Sequence, residues 1–446
     1  MPKSRLIAAV LIAWAGAAYG QGESSSPQSV DDIIARVLHD NPSPSSKGRP
    51  AKAEGAGLAI VMSARIGEHS DRTRFVVELS DPVNMRTFTL NNPNRVVIDM
   101  PAVQWRLDGP PRPTGHGAVR SYRYGLFRPG NSRFVIDLNQ PVSISDALVL
   151  PPQSGLGYRV VIDLFPTTQA KFDQSAGWPA DLKARETAAE RVAALPSTPL
   201  PARAENSARK TIVIDPGHGG IDSGTNGVNG LLERDLVLDE GLRVARALRR
   251  NPNFTVYMTR DTDVFIPLRE RVNIGRSRKA DLFISLHADS NPGPDVTGLS
   301  IYTLSESGSD KEAAALARKE NQSDVIAGVD LGGENSAVAP ILIDLEQRDT
   351  MNKSSRFAQL ALNSLSHATD ILPRQPHRSA AFVVLKAPDV PSVLIELGYL
   401  SNSSDADQMN TARWRNGVAD AIAAAVERHF ALGTAAVPAS PAHVPE

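Results

Sequence analysis

The stretch Ile212-Val-Ile-Asp-Pro-Gly-His218-Gly-Gly220 joins an apolar run directly to a histidine that is surrounded by glycines. Its β-branched residues are typical of a buried strand. The glycines let the backbone turn sharply and leave the imidazole uncrowded. The stretch therefore predicts a strand whose carboxyl end presents His218.

Two other segments place a metal-binding side chain in a similar position. The apolar run Leu282-Phe-Ile-Ser-Leu-His287 ends in a histidine, and Glu233 opens a helical pattern. Two imidazoles and a carboxylate form a ligand set that binds zinc and leaves one position open for chemistry. A favourable place in the first turn of a helix is the plainer explanation of Glu233.

Glu396 ends a third apolar run, Pro391-Ser-Val-Leu-Ile-Glu396. Charged groups are rarely buried without a partner, so a glutamate in this position needs a reason. The sequence contains no His-Glu-x-x-His motif, which excludes the common protease site carried on one helix.

Three further polar residues are weaker candidates. Asp289 lies two residues after His287 and can orient an imidazole by hydrogen bonding to the ring nitrogen that does not bind the metal. Arg260 and Arg269 are candidates for holding substrate carboxylates through paired hydrogen bonds. Salt bridges within the fold are the commoner use of such arginines.

Strand and helix patterns alternate throughout residues 210–431. This alternation predicts an α/β domain with a mostly parallel central sheet flanked by helices. Catalytic residues in such sheets collect at the carboxyl ends of the strands. His218, His287 and Glu396 all lie at predicted strand ends.

Residues 58–166 contain an internal repeat. Arg95-Val-Val-Ile-Asp99 recurs as Arg159-Val-Val-Ile-Asp163, and the segment from Arg74 to Val83 resembles the one from Arg133 to Val142. The alternation of polar and apolar residues in both copies predicts strands. We expect a small all-β sandwich with pseudo-two-fold symmetry, which serves as a binding module. A β-domain with no binding role is the alternative.

The remaining segments are predicted to lie outside folded domains. Residues 1–20 combine a basic start, an apolar stretch and a small-x-small end, as in a cleaved signal peptide; an uncleaved anchor is the alternative. Residues 21–57 and the Ala/Pro-rich residues 167–209 are predicted to be linkers, and residues 432–446 a disordered tail. We expect an exported protein without stable membrane insertion after cleavage.

Composition narrows the function further. A net charge of −1 argues against a general nucleic-acid-binding protein, although it does not exclude a polar polymer such as a glycan. Cysteine is absent, so a metal site must use nitrogen and oxygen ligands. Nothing in the composition demands more than a monomer.

The motifs resemble those of the zinc-dependent N-acetylmuramoyl-L-alanine amidases across residues 210–430. They are Asp215-Pro-Gly-His-Gly-Gly220, Glu233, Thr259-Arg-Asp261, Ser285-Leu-His-Ala-Asp289 and Ile395-Glu-Leu-Gly-Tyr399. Residues 58–166 resemble the targeting module of periplasmic amidases. The resemblance implies that His218, Glu233 and His287 bind zinc and that Glu396 is the catalytic carboxylate.

The same resemblance implies the biological setting. The enzyme would hydrolyse the amide between the lactyl group of N-acetylmuramic acid and L-alanine in peptidoglycan. It would act in the periplasm, concentrated at the division septum, where it would split the wall between daughter cells.

A long insertion between predicted elements contains a strong helical pattern at residues 310–326. An insertion of this length is typically functional or disordered. The resemblance implies a helix that covers the zinc until a periplasmic activator with a LytM-type domain removes it. We hypothesise that Glu320 is the fourth zinc ligand at rest, with Asp324 as the second candidate. A surface helix with solvated acids is the alternative.

Two rival functions remain open from the sequence. One is a zinc peptidase that cuts within the stem peptides. The other is a non-catalytic wall-binding scaffold with a structural zinc ion. Glu396 argues against the scaffold, because a closed structural site has no need of an additional carboxylate.

Overall fold

A computed structural model describes residues 58–107, 115–128, 130–145, 147–153, 155–182, 209–290, 293, 296–329 and 345–434. The predicted signal peptide, the linker at 21–57, most of the second linker and the tail beyond residue 434 lie outside the described residues. No helix in the described part of the chain is long and apolar enough to cross a membrane.

Ten strands form the first domain. They are β1 (Ile60–Glu68), β2 (Thr73–Leu79), β3 (Arg86–Leu90), β4 (Arg95–Pro101), β5 (Gln104–Trp105), β6 (Val119–Arg128), β7 (Asn131–Leu138), β8 (Val142–Ile144), β9 (Leu148–Leu150) and β10 (Tyr158–Pro166). One sheet has the order β5-β1-β2-β10-β8, with β9 also paired to β10, and the other has the order β3-β4-β7-β6. Alternate side chains of both sheets, including Phe75, Ile98, Phe134 and Ile162, form one buried core.

The two copies of the repeat are interleaved. Strand β2 of the first copy pairs with β10 of the second, which places Arg74 opposite Asp163. Strand β4 of the first copy pairs with β7 of the second, which places Asp99 opposite Arg133. The predicted all-β sandwich with an internal repeat is confirmed, and each sheet is built from both copies.

The first part of the predicted second linker is structured. Helix α1 (Gln169–Ser175) begins after Thr168, whose hydroxyl caps it by accepting from the Lys171 N–H. Phe172 is fully buried in the sandwich core, and Trp178 is buried in a second cluster that contains residues of both domains. Two aromatic side chains in a polar run left no periodic pattern that would have predicted this packing.

The second domain has a six-stranded sheet flanked by helices. Its elements are β11 (Lys210–Pro216), α2 (Glu233–Leu248), β12 (Phe254–Met258), α3 (Leu268–Ser277), β13 (Leu282–His287), β14 (Ser300–Leu304), α4 (Lys311–Glu320), α5 (Ser323–Ile326), α6 (Leu345–Leu365), β15 (His377–Ala380), a 3₁₀ turn (Val383–Leu385), β16 (Ser392–Glu396), α7 (Ser403–Met409) and α8 (Ala412–Thr434). Helix α8 thus continues beyond the predicted end of the domain at residue 431.

The sheet has the order β12-β11-β13-β16-β14-β15, and only the β14–β16 pairing is antiparallel. Successive side chains of a strand point to opposite faces. Ile212 and Ile214 therefore join one buried cluster with α2, α6 and α8, whereas Val213 joins the other with α3 and α4. The predicted α/β fold with a mostly parallel sheet is confirmed.

Three adjacent strands bring the candidate residues together. Strand β13 lies between β11 and β16, and His287 is in register with Glu396 at the carboxyl ends. His218 follows β11 by two residues. The strand order therefore places all three side chains at one edge of the sheet.

Candidate active site

His218 is held in place from several sides. Its backbone has a φ of +57°, which is uncommon for a residue other than glycine. Its carbonyl accepts a hydrogen bond from Arg271 Nη2 at 2.6 Å, and its Nδ1 contacts Asp222 Oδ2 at 2.9 Å. These contacts fix the ring so that Nε2 faces Glu233.

The carboxylate of Glu233 is fixed by two backbone N–H groups. Ala288 N donates to Oε1 at 2.9 Å and Thr225 N donates to Oε2 at 2.8 Å. The side chain is fully buried, which opposes ionisation, but the imidazoles of His218 and His287 hold its pKa well below the usual value. Glu233 is therefore a buried anion that faces two imidazoles.

Four donor atoms converge on one point. Glu233 Oε1 lies 3.1 Å from His218 Nε2 and 3.2 Å from His287 Nδ1. Glu320 Oε2 lies 3.3 Å from the same atom of His218 and 3.1 Å from that of His287. Ligands bound tetrahedrally about 2.0–2.1 Å from zinc are roughly 3.3 Å apart. The four measured distances match this spacing, although the residues whose donor atoms all lie within 4.8 Å of one another are His218, His287 and Glu320, without Glu233.

Orphaned polar atoms support the same conclusion. Among the described residues, His218 Nε2, His287 Nδ1 and both oxygens of Glu320 are buried without a hydrogen-bond partner. The ligand atoms of His218, His287 and Glu320 lie within 4.8 Å of one another. Because buried polar groups are normally satisfied, this group can hold a metal ion.

Electrostatics also favour positive charge at this point. Burial lowers the pKa of His287, but Glu320 and Glu233 outweigh it and raise the pKa to about 10. Burial likewise raises the pKa of Glu320, but the two imidazoles bring it down to about 2. The carboxylates thus stabilise either protons or a metal cation among these donors.

Glu396 lies beside this group with one free oxygen. Its Oε2 accepts a hydrogen bond from Asp289 N at 3.0 Å, whereas its Oε1 is buried without a partner among the described residues. Burial raises its pKa to about 8, with Glu233 and Glu320 acting in the same direction. A carboxyl group with a pKa near neutrality is suited to accepting and returning a proton.

The helices α4 and α5 cover the donor atoms. We call residues 311–329, which contain both helices, the control segment. Lys319 Nζ contacts Asp289 Oδ1 and donates to Thr225 Oγ1 at 3.0 Å. Ser323 Oγ donates to Asp222 Oδ2, and Leu268 N donates to Asp324 Oδ1 at 3.0 Å. Glu320 therefore reaches the donor group, whereas Asp324 contacts the helix α3 instead.

The sequence offered Asp289 as a residue that orients an imidazole, and the structure places other groups against it. Asp289 contacts Lys319 and Thr225, and its backbone N–H contacts Glu396. Asp222 contacts His218 instead. It lies four residues beyond His218 in the same glycine-rich turn, and this short spacing was the available signal.

The predicted arginines lie elsewhere. Arg260 is buried and donates to the carbonyls of Pro216 at 3.0 Å and Gly217 at 2.8 Å, so it holds the backbone beside His218. Arg269 is exposed in the first turn of α3.

Arg271 is the arginine that sequence reasoning missed. It donates to Asp215 Oδ1 at 2.8 Å as well as to the carbonyl of His218. Asp215 also accepts from Thr259 Oγ1 at 2.6 Å and Ser285 Oγ at 2.8 Å. Arg271 lies on the buried stripe of α3 with Leu268 and Gly275, and an arginine on such a stripe signals a buried partner.

Two glycines are required by close approach. A Cβ on Gly217 would lie 2.4 Å from His287 Cε1, and one on Gly224 would lie 2.6 Å from Glu233 Oε2. Any larger residue at either position would displace a donor side chain. The site thus depends on glycine as well as on its charged residues.

Known proteins share both domains. The family described as N-acetylmuramoyl-L-alanine amidase matches residues 212–428, and the AMIN domain matches residues 63–155. N-acetylmuramoyl-L-alanine amidase AmiC of Escherichia coli O6:H1 is 33% identical over 390 residues, which cover 85% of this chain and 91% of that protein. AmiC of Neisseria meningitidis serogroup B is 35% identical over 375 residues, covering 82% and 89%.

Among solved structures, AmiC2 of Nostoc punctiforme is 29% identical, covers 50% of this chain and 97% of its own, and gives a TM-score of 0.38. The similarity to the AmiC proteins over most of the chain, together with the matched domains, determines the assignment. The chain belongs to the N-acetylmuramoyl-L-alanine amidase family and is a peptidoglycan amidase.

Proposed function

We propose that this amidase uses a zinc ion held by His218, Glu233 and His287 to hydrolyse the lactyl–L-alanine amide of peptidoglycan. The observation that carries the proposal is the convergence of these donor atoms next to the partnerless Oε1 of Glu396. Zinc in such a site supplies Lewis acidity, which activates water and polarises a carbonyl.

The protein residues perform the proton transfers. The Asp289 N–H holds Oε2 of Glu396, which leaves Oε1 directed into the site to accept a proton from the attacking water. The same carboxyl group then donates that proton to the departing nitrogen of L-alanine.

Glu320 inhibits the enzyme at rest. Its Oε2 lies beside His218 and His287, in the position that water and substrate need. A catalytic zinc site keeps one coordination position open, and a fourth protein ligand closes it. Activation therefore requires the control segment to leave, and the proposed agent is a periplasmic activator with a LytM-type domain.

The β-sandwich directs the enzyme to its substrate. We place the mature protein in the periplasm and at the division septum, where hydrolysis separates daughter cells. The catalytically inactive full chain with Glu396→Gln is expected to co-sediment with isolated sacculi. Failure to co-sediment would contradict wall binding by the resting protein.

The reaction is tested in a variant from which the inhibition by Glu320 has been removed. Glu320→Ala is expected to raise hydrolysis of purified sacculi, whereas Glu312→Ala at the exposed start of the same helix is expected to leave it unchanged. Adding Glu396→Gln to Glu320→Ala is expected to lower the rate about 10²–10⁴-fold while about one zinc per chain is retained, as measured by metal analysis.

Mass spectrometry of the products identifies the bond. Stem peptides with a free L-alanine amino group support the amidase reaction. Cleavage between stem-peptide residues would show a peptidase. Undiminished hydrolysis by the double variant would remove Glu396 from the mechanism, and loss of zinc would assign it a structural role.

A further inference from the structure

We propose that the β-sandwich is also a latch that holds the control segment on the active site. The inference rests on the proposed inhibition by Glu320. It assigns a function to the sheet β3-β4-β7-β6, whose outer face meets the end of the control segment. The partner of this face is therefore a segment of the same chain.

Three arginines of this sheet bind four successive backbone carbonyls. Arg95 donates to Val325, Arg123 donates to Ile326 at 2.6 Å, and Arg133 donates to Ala327 and Gly328 at 3.1 and 2.9 Å. Carbonyls at the end of a helix lack partners within the helix and carry partial negative charge. The arginines thus satisfy the end of α5.

Carboxylates of the sandwich orient the guanidinium groups of Arg133 and Arg123. Arg133 Nε and Nη2 contact the two oxygens of Asp99 at 2.5 and 2.8 Å, which leaves Nη1 for the control segment. Arg123 contacts Asp137 Oδ2 through Nη1 and uses Nε for the control segment. Both arginines are almost completely buried. Charged donors that are already oriented form stronger hydrogen bonds than neutral, mobile ones.

Apolar contacts reinforce the latch. Ala327 and Val329 are buried in a cluster with Val97, Val135 and residues of both domains. Gly328 has a φ of +72°, and a Cβ there would lie 3.1 Å from Val135 Cγ2. The sandwich surface therefore fits the backbone of the control segment closely.

The latch acts on Glu320 through a short connection. Residues 321 and 322 separate α4, which ends at Glu320, from α5, which ends at Ile326. Ser323 contacts Asp222 and Asp324 accepts from Leu268 N, so the catalytic domain holds the start of α5 while the sandwich arginines hold its end. Because the arginines hold the carbonyls at the end of α5, they limit the movement that would withdraw Glu320 from the active site.

The internal repeat supplies a matched control. Arg74 is the counterpart of Arg133 in the first copy and pairs with Asp163 at 2.7 and 2.8 Å. It lies on β2, in the other sheet of the sandwich. Replacing either arginine breaks an equivalent ion pair, but only Arg133 binds the control segment.

The test compares Arg133→Met with Arg74→Met in the full-length zinc-loaded enzyme. Arg133→Met is expected to raise basal hydrolysis of sacculi roughly tenfold, because it removes charged hydrogen bonds that exist only in the closed state. Arg74→Met is expected to change it less than about twofold by the same argument. Hydrogen exchange of amides in residues 311–329 should accelerate in Arg133→Met but not in Arg74→Met.

A variant in the control segment distinguishes loss of this contact from misfolding of the sandwich. Gly328→Val leaves every arginine intact and is expected to release the control segment in the same way. Equal effects of Arg133→Met and Arg74→Met, or unchanged exchange in both Arg133→Met and Gly328→Val, would overturn the latch.

Glu320→Ala separates this inference from the proposed inhibition. If it raises hydrolysis while Arg133→Met and Gly328→Val do not, the latch is wrong and inhibition stands. If Glu320→Ala does not raise hydrolysis, the inhibition proposal fails, and with it the regulatory role of the latch. In the Glu320→Ala background, Arg133→Met should add less than about twofold, because mutations in one network are not additive.

Discussion

The active site has a floor and a cover that are built differently. The floor, formed by His218, Glu233, His287 and Glu396, is fixed within the catalytic domain by backbone N–H groups and buried partners. The cover is the control segment, and its contacts to the floor come from side chains on two short helices. Damage to the floor should therefore remove activity, whereas damage to the cover should increase it.

The largest expected effect breaks the floor. Gly217→Ala places a Cβ 2.4 Å from His287 Cε1, so the imidazole must move. A displacement of about 1 Å at a catalytic centre can cost roughly 100-fold in rate. We expect at least that loss in a Glu320→Ala background, together with weaker zinc binding by metal titration.

Gly230→Ala is the control for this variant. Gly230 lies in the same connection between β11 and α2, but a Cβ there would meet no atom within 4 Å. It should retain most of the activity despite its positive φ. Full activity and zinc affinity in Gly217→Ala would show that the floor tolerates displacement and would weaken the comparison.

A smaller effect comes from loosening the cover. Lys319→Met removes the contact with Asp289 and the hydrogen bond to Thr225. Because Lys319 is 44% exposed, we expect a modest gain of roughly two- to fivefold in basal hydrolysis of sacculi.

Arg318→Met, at the exposed preceding position, removes the same charge without touching the floor. It should leave basal hydrolysis unchanged. A lower rate in Lys319→Met than in Arg318→Met would indicate that Lys319 assists the reaction rather than closing the site.

The smallest effect on activity is expected at Glu240, a buried residue of α2 outside the floor. Glu240 in α2 is fully buried without a partner among the described residues, and burial raises its pKa to about 8. An acid with a raised pKa costs stability as pH rises from its unfolded value, near 4.5, through its folded value. Glu240→Gln should therefore stabilise the protein by about 4 kcal/mol more at pH 8 than at pH 4.5.

Thermal unfolding from pH 4.5 to 9 measures this prediction. The difference between Glu240→Gln and the parent should be small at the acid end, grow up to about pH 8, and then stay constant. Hydrolysis at neutral pH should be unchanged. A difference that is independent of pH would show that Glu240 does not gain a proton on folding.

Sequence reasoning identified the floor because its residues follow a positional rule. His218, His287 and Glu396 lie at the ends of apolar runs, and parallel strands gather such ends at one edge. Glu320 was foreseen as a hypothesis through resemblance, and its position agrees. The supporting Asp222 and Arg271 were missed, because their partners are fixed by a turn and by helix packing.

The contact between the domains could not be predicted in this way. Arg95, Arg123 and Arg133 bind backbone carbonyls, and almost every residue carries such a carbonyl. The identities of the residues at 325–328 therefore do not indicate that the arginines of the sandwich bind them. The polar run containing Phe172 and Trp178 was likewise taken for a linker, because isolated aromatic residues show no periodicity.

The interleaved repeat has a consequence for how the sandwich is made. Arg74 and Asp163 are 89 positions apart, so β2 has no neighbour on that side until residues 158–166 have been synthesised. Either half alone would leave strand edges open, and two identical halves could close them only by pairing with each other as a symmetric dimer. Duplication within a single chain keeps the two halves joined permanently. It also allows the outer faces of the two sheets to acquire different sequences.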